Sequence, residues 1–368
     1  VRPGRDSDPL IAKVAAEVQK AAASVSAPAP LRDGRLELVA SEIARTTVGK
    51  KLPPFDAIAF LVHHYGLVEP EPYLVMVRGP AQADPMLLND LAKQIPPVFK
   101  AGDWRRMGVG VKRSNDDVTV VLALQPQNLE LAPLPRSLPS QGTVLMIGRL
   151  LGRYGKPAVL LATPHGAVRN LSLIARKGRF ELTLACDAGD GVYQVEIEGD
   201  DGHGPAVLAN FPVYCGVQAP SGVASVGVDP SRRFDPEEAE RELLILVNRD
   251  RVAAGLEPVE RDARLQEVAR AYSREMVRTG EVVHVSSKSG AALDRVRTAR
   301  ISPLPSVLAE NLGRAFSTRE VENAFMGSPG HRANILNADV THVGIGVAAG
   351  PTEGGSTPLF FTQLFAAW

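Results

Sequence analysis

The spacing of apolar residues changes along the chain, and each change marks a different kind of element. Between residues 143 and 215 the period is two, or the run is wholly apolar: TVLMIGRL, PAVLLAT, GRFELTLAC, GVYQVEIEG and AVLANFPVYC. Turn-forming stretches (KGR, DAGDG, GDDGHGP) separate these runs, so the segment predicts a β-sandwich of immunoglobulin-like type. Further on the period becomes helical. Leu243, Leu244, Leu246 and Val247 make one apolar face, and Leu265, Val268, Ala269 and Tyr272 make a second at i, i+3, i+4, i+7. Gly255 and Gly280 stand where these helices should stop. Near its end the chain alternates glycine with β-branched residues and finishes in aromatics, as a buried hairpin does.

Two proline-rich stretches, LAPLPRSLPSQG (131–142) and VQAPSGVASVGVDPSRR (217–233), hold neither a regular helix nor a ladder. They divide the chain into domains at 1–130, 131–220 and 221–368. The outer two share a pattern. Asp33, Arg35, Leu36, Val39, Ala40 and Arg45 line up with Asp262, Arg264, Leu265, Val268, Ala269 and Arg274. A helix opening on Asp-Pro precedes each stretch, at Asp8-Pro9 and Asp235-Pro236, and MGVGVKRSNDDVTVVLALQ (107–125) parallels VGIGVAAGPTEGGSTPLFFTQ (343–363). Matches in one order at a nearly constant offset predict a duplicated domain.

Composition narrows the class. At 368 residues, 45% hydrophobic and 22% charged, the chain is that of a folded multidomain protein. Lys+Arg 41 against Asp+Glu 41 gives no net charge, which argues against nucleic acid as a partner. No apolar run reaches the roughly 18 residues of a membrane span. The opening VRPGRDSDP reads as a trimmed leader or an engineered start. Cys186 and Cys215 follow predicted strands, and one disulfide or two buried thiols fit equally well; a disulfide would place the protein outside the cytoplasm.

The segments 242–276, VVHVSSKSG (282–290), LAENLGR (308–314), ENAFMGSPGHRANILN (322–337), VGIGVA (343–348) and FTQLF (361–365) together resemble the CAP superfamily. This is the cysteine-rich secretory, antigen 5 and pathogenesis-related group, here in its bacterial SCP-like form. The resemblance implies an α-β-α sandwich, with helices on both faces of a small antiparallel sheet. The expected fold is therefore α+β and multidomain, with two CAP-like sandwiches flanking the immunoglobulin-like one. The resemblance also implies a secreted or envelope-associated protein.

It further implies a cleft lined by two histidines and two glutamates. The H-x-S histidine maps to His284, the AEN glutamate to Glu310 and the GHR histidine to His331. The W-x-x-E pattern is replaced by AFMGS, with Phe325 at the tryptophan and Ser328 at the glutamate; Glu322 lies one helical turn earlier. Two neutral imidazoles and a carboxylate, His284, His331 and Glu310, suit Zn²⁺ or Cu²⁺ with an open position for water. Three functions follow: a cleft that binds a divalent metal or a small or lipid ligand, a metal-assisted hydrolase using the same residues, or a scaffold for a cell-surface partner with a vestigial cleft. Binding is favoured over catalysis, because the missing carboxylate leaves no second base for an acid–base mechanism, and no glycine-flanked elbow presents Ser286 or Ser328 as a nucleophile. In the structural alternative Ser328 caps the following helix and Arg332 pairs with Glu310 or Glu322. His165 and His203 are expected in exposed turns, His342 at a strand end, and His63 and His64 at a core edge. In the N-terminal copy the positions of the site residues fall near Ile95, within YLVMVRG and near PPF, so that copy keeps the packing and loses the site.

Overall fold

A computed structural model describes residues 8–47, 52–223, 234–352 and 357–368. Most of the second proline-rich stretch, 224–233, lies outside these residues. The chain divides into two units, Val1–Glu130 with Pro220–Gly227, and Leu131–Ala219 with Val228–Trp368. The strand-rich middle and the C-terminal domain therefore pack as one body.

In the first unit, α1 (Pro9–Ser24) opens on Asp8, whose carboxylate accepts from the Leu10 N–H, with proline at the first helical position. Then come β1 (Leu31–Arg32), α2 (Gly34–Thr46), α3 (Phe55–His64), β2 (Tyr73–Pro80), α4 (Asp84–Ala101), β3 (Arg106–Arg113) and β4 (Asp117–Gln125). The sheet order is β1-β3-β4-β2. Val75, Val77, Val118 and Val120 face α1 and α4, while Val121 and Ala123 face α2 and α3. Helices thus cover both faces.

The middle strands are β5 (Leu129–Leu131), β6 (Ser137–Leu138), β7 (Thr143–Leu150), β8 (Gly155–Ala162), β9 (Val168–Asn170), β10 (Ile174–Arg176), β11 (Arg179–Ala185), β12 (Gly191–Asp200) and β13 (Pro205–Cys215). They form two sheets, β10-β11-β7-β5 and β6-β13-β12-β8-β9. Burial alternates along β11, where Phe180, Leu182 and Leu184 point inward. Cys186, just past β11, is bonded to Cys215 at the end of β13. Of the two states left open by the sequence, the disulfide is the one found, and it ties one sheet to the other.

The C-terminal elements are α5 (Pro236–Ala253), β14 (Glu260–Arg261), α6 (Ala263–Thr279), α7 (Ala292–Thr298), β15 (Val307–Ala315), α8 (Thr318–Gly327), α9 (Pro329–Ile335), β16 (His342–Ala349) and β17 (Leu359–Ala367). The sheet order β14-β16-β17-β15 repeats that of the first unit position for position. Val343, Ile345, Val347 and Phe361 pack under α5 and α8, and Leu364 and Ala366 pack under α6 and α7. Asp235 and Asp262 cap α5 and α6, and α6 ends on left-handed Gly280.

The aligned residues occupy equivalent contacts. Asp33 caps α2 as Asp262 caps α6. A Cβ at Gly108 or Gly110 would stand 2.2 Å from the main-chain carbon of Leu36 or Ala40. At Gly344 and Gly346 it would stand 2.3 and 2.2 Å from those of Leu265 and Ala269. Only glycine lets the helix lie this close to the sheet. Gly346→Ala is therefore expected to destabilise by about 1–3 kcal/mol through overpacking. Gly327→Ala, with open space around the added methyl, should stay within roughly 0.5 kcal/mol of wild type. Chemical denaturation of the full chain checks both, and equal effects of the two substitutions would contradict the close-approach argument.

Candidate functional site

The site begins under α6. Tyr272 is buried on that helix, and its hydroxyl donates to the carbonyl of Val283, the residue before His284. The guanidinium of Arg295, from α7, lies 3.5 Å from the centre of the Tyr272 ring, a cation–π contact within a desolvated site. Arg295 donates to Glu310 Oε2, and Glu310 Oε1 lies 2.9 Å from His284 Nδ1. With both oxygens accepting, Glu310 assigns the His284 ring proton to Nδ1. The hydroxyl of Tyr272 is pushed up to about 12 by burial, with the Arg295 charge opposing.

His331 is held from other directions. Its carbonyl accepts from Asn311 Nδ2 at 3.1 Å, and Asn311 also donates to Gln363 Oε1 at 2.9 Å, across directly paired positions of β15 and β17. Asn334 donates to Asn311 Oδ1 at 2.9 Å and to the Glu310 carbonyl at 3.1 Å, which fastens α9 to β15. The His331 ring packs on Phe325, centroids 4.9 Å apart, and its Nδ1 lies 2.7 Å from Ser328 Oγ. Burial, with the neighbouring His284 adding to it, pushes this imidazole down to about 3. The ring is therefore neutral at every ordinary pH.

Ser328 occupies the N-cap position of α9, yet its side chain caps nothing. The capping expectation fails because a carboxylate accepts the helix N–H that the serine would have capped. The hydroxyl donates to Glu196 Oε2, on β12 of the middle domain, and Glu196 Oε1 accepts from the Gly330 N–H at 2.8 Å. Glu196 is fully buried and Ser328 is 4% exposed. Burial raises the Glu196 carboxyl to about 7, against the pull of its two hydrogen bonds; Glu198, two residues on, is also raised by burial and is opposed by His284. The pairing expected of Arg332 also fails. Arg332 donates to the Met326 carbonyl, and Arg295 takes Glu310 instead.

The middle domain meets both histidine segments. The Val285 N–H donates to the His203 carbonyl at 2.9 Å, and Asn210 donates to the Gly327 carbonyl at 3.1 Å. A Cβ on Gly204 would stand 2.9 Å from that of His284, and one on Gly166 would stand 2.9 Å from Arg332 Nη2. The side chains of His165 and His203 are exposed as expected, and His342 opens β16 against Trp368.

The sequence-predicted residues thus form two linked groups, His284 with Glu310 and His331 with Ser328. Glu322 does not join them. It is fully buried, accepts from Gln363 Nε2 at 3.2 Å, and has no partner for Oε1 among the described residues. Burial and then the Asp250 charge raise it to about 8. Among the described residues no group of three or more His, Cys, Asp or Glu stands at metal-binding spacing. Sequence reasoning missed Arg295, Glu196 and Glu198. Arg295 lies in an unremarkable ALDRVRT helix, and alternation in QVEIE marks the two glutamates only as outward-facing.

Residues 244–365 match the CAP family, the cysteine-rich secretory protein family. The C-terminal part of the chain is a CAP domain. An uncharacterized Bacillus subtilis protein, YkwD, is 32% identical over 149 residues, which are 40% of this chain and 54% of that protein. The uncharacterized B. subtilis membrane protein YlbC is 34% identical over 111 residues, 30% of this chain and 31% of its own. The chain thus spans about half of one curated relative and about a third of the other. Among solved structures, an outer surface protein of Borrelia burgdorferi is 21% identical, TM-score 0.32, matching 37% of this chain and 97% of that one. An extracellular SCP-domain protein of Bacillus anthracis is 16% identical, TM-score 0.32, over 61% and 82%.

The raised carboxyl of Glu322 has a measurable consequence. In the folded chain it keeps its proton up to about pH 8, whereas an ordinary glutamate releases it near 4.5. Between these values the unfolded chain binds fewer protons, so stability falls as pH rises. Glu322→Gln should flatten the decline in Tm between about pH 5 and pH 8, measured by calorimetry on the full chain. An unchanged slope would show that Glu322 ionises normally when folded.

Proposed function

We propose that the C-terminal CAP domain is a binding module whose cleft takes a divalent cation, with Zn²⁺ as the probe, between His284 and His331. The observation that supports this is the way the two rings are held. Glu310 holds Nδ1 of His284 and Ser328 holds Nδ1 of His331, and among the described residues neither Nε2 has a hydrogen-bond partner. A metal-binding histidine characteristically has its other ring nitrogen tied in this way. Glu310, proposed from the sequence as a third ligand, has both oxygens engaged and serves better as the group that orients His284. The donor set fits two imidazoles with the remaining positions left to water or a small ligand, an open site and not a closed cage. A cation there would polarise a bound ligand or water.

The disulfide between Cys186 and Cys215 supports a secreted or envelope-associated location, since such bonds persist in oxidising compartments. The shared strand order and matching glycine contacts of the outer parts support descent by duplication. The two facing sheets of the middle domain support the immunoglobulin-like reading. The test is a zinc titration of the full chain by calorimetry, with His284→Ala and His331→Ala alongside. One-site binding in wild type, lost in both variants, is expected; no heat in wild type would remove the metal from this reading.

A further inference from the structure

His284 is oriented by a carboxylate of its own domain, whereas the group behind His331 comes from another. Glu196 lies on β12, a central strand whose Val195 and Ile197 point into the middle domain. The opposite face of such a strand is ordinarily wet. Here it is covered by α9, and the carboxylate is spread over two donors, Ser328 and the Gly330 N–H.

We propose that Glu196 is a positioning residue for His331: acting through Ser328, it fixes the ring in the tautomer with the proton on Nδ1 and the lone pair on Nε2. The argument is one of proton counting. A serine hydroxyl has one proton to give. An ionised Glu196 only accepts, so the hydroxyl proton goes to Glu196 Oε2. The contact of 2.7 Å between Ser328 Oγ and His331 Nδ1 then requires the ring to donate. The reverse assignment would set a carboxylate lone pair against a hydroxyl lone pair within hydrogen-bonding distance. The middle domain therefore determines which nitrogen of a CAP-domain histidine can bind a cation, and the site is shared between the domains.

Replacing Glu196 by glutamine reverses the chain of bonds. The Gly330 N–H needs an oxygen, so the amide carbonyl takes that place and the amide NH₂ faces Ser328. Ser328 must then accept from it and donate to His331 Nδ1, which moves the ring proton to Nε2. The steric outline is unchanged. Ser328→Ala reaches the same end by removing the partner of Nδ1, because an untethered neutral imidazole prefers its proton on Nε2.

The test uses the full chain with isotope-labelled histidine at pH 8, above the value of about 7 for Glu196. Long-range proton–nitrogen correlation spectra distinguish protonated from lone-pair ring nitrogens, and His331→Ala assigns the signal. Wild type is expected to carry the proton on Nδ1, and both Glu196→Gln and Ser328→Ala on Nε2. A wild-type ring already protonated on Nε2, or no change in either variant, overturns the proposal. If Glu196→Gln does not fold, Ser328→Ala decides alone. The effect on zinc rests on the two-imidazole reading. There Glu196→Gln should weaken binding by about 10- to 100-fold. If wild type binds no zinc, that reading falls, while the spectra still decide the role of Glu196.

Discussion

Everything in the C-terminal domain depends on how closely α6 lies against β16. Gly344 and Gly346 bring the strand against the main chain at Leu265 and Ala269, and this fixes the depth at which Tyr272 enters the core. Tyr272 carries Arg295 on its ring and anchors the carbonyl before His284; Arg295 then sets Glu310, and Glu310 sets the imidazole. Tyr272, Arg295 and Glu310 are buried, and an unpaired charge there would be costly. The orientation of the His284 ring therefore derives from a steric requirement on the helix beneath it.

The first unit shows what that arrangement does without the chemistry. It has the same strand order and the same two glycine contacts, against Leu36 and Ala40. Where the C-terminal domain breaks between α8 and α9, with His331 on α9, the first unit runs a single helix, α4, with Ile95 buried in its core. The packing requirement and the site are separable, and the former is enough to preserve the layers.

Legibility in the sequence followed the range of the interaction. Helix faces, Asp caps and the stop at Gly280 are local, and period and residue type disclosed them. His284, Glu310 and His331 came from a motif, and the structure brings His284 and Glu310 into contact. The cysteine pairing stayed open because it depends on a distance between two sheets. Ser328 was assigned to cap its own helix, but Glu196 from β12 accepts the Gly330 N–H in its place. Arg332 was assigned Glu310 or Glu322, but Arg295 takes Glu310 and Arg332 donates to the Met326 carbonyl. Glu196 was illegible for a plainer reason: alternation says which face of a strand a residue takes, but not what covers that face.

The middle domain also places small residues where it touches the two histidine segments. Gly166 and Gly204 leave room for Arg332 and His284, and Gly330 on the other side leaves room for Glu196 and Glu198. On a freestanding sheet, a methyl added in such a turn or a glutamate exchanged on an outward face would pass unnoticed. Here the same changes would reach the imidazoles. The two domains have lost the freedom to drift separately, and a substitution in either is tolerated only as the other permits.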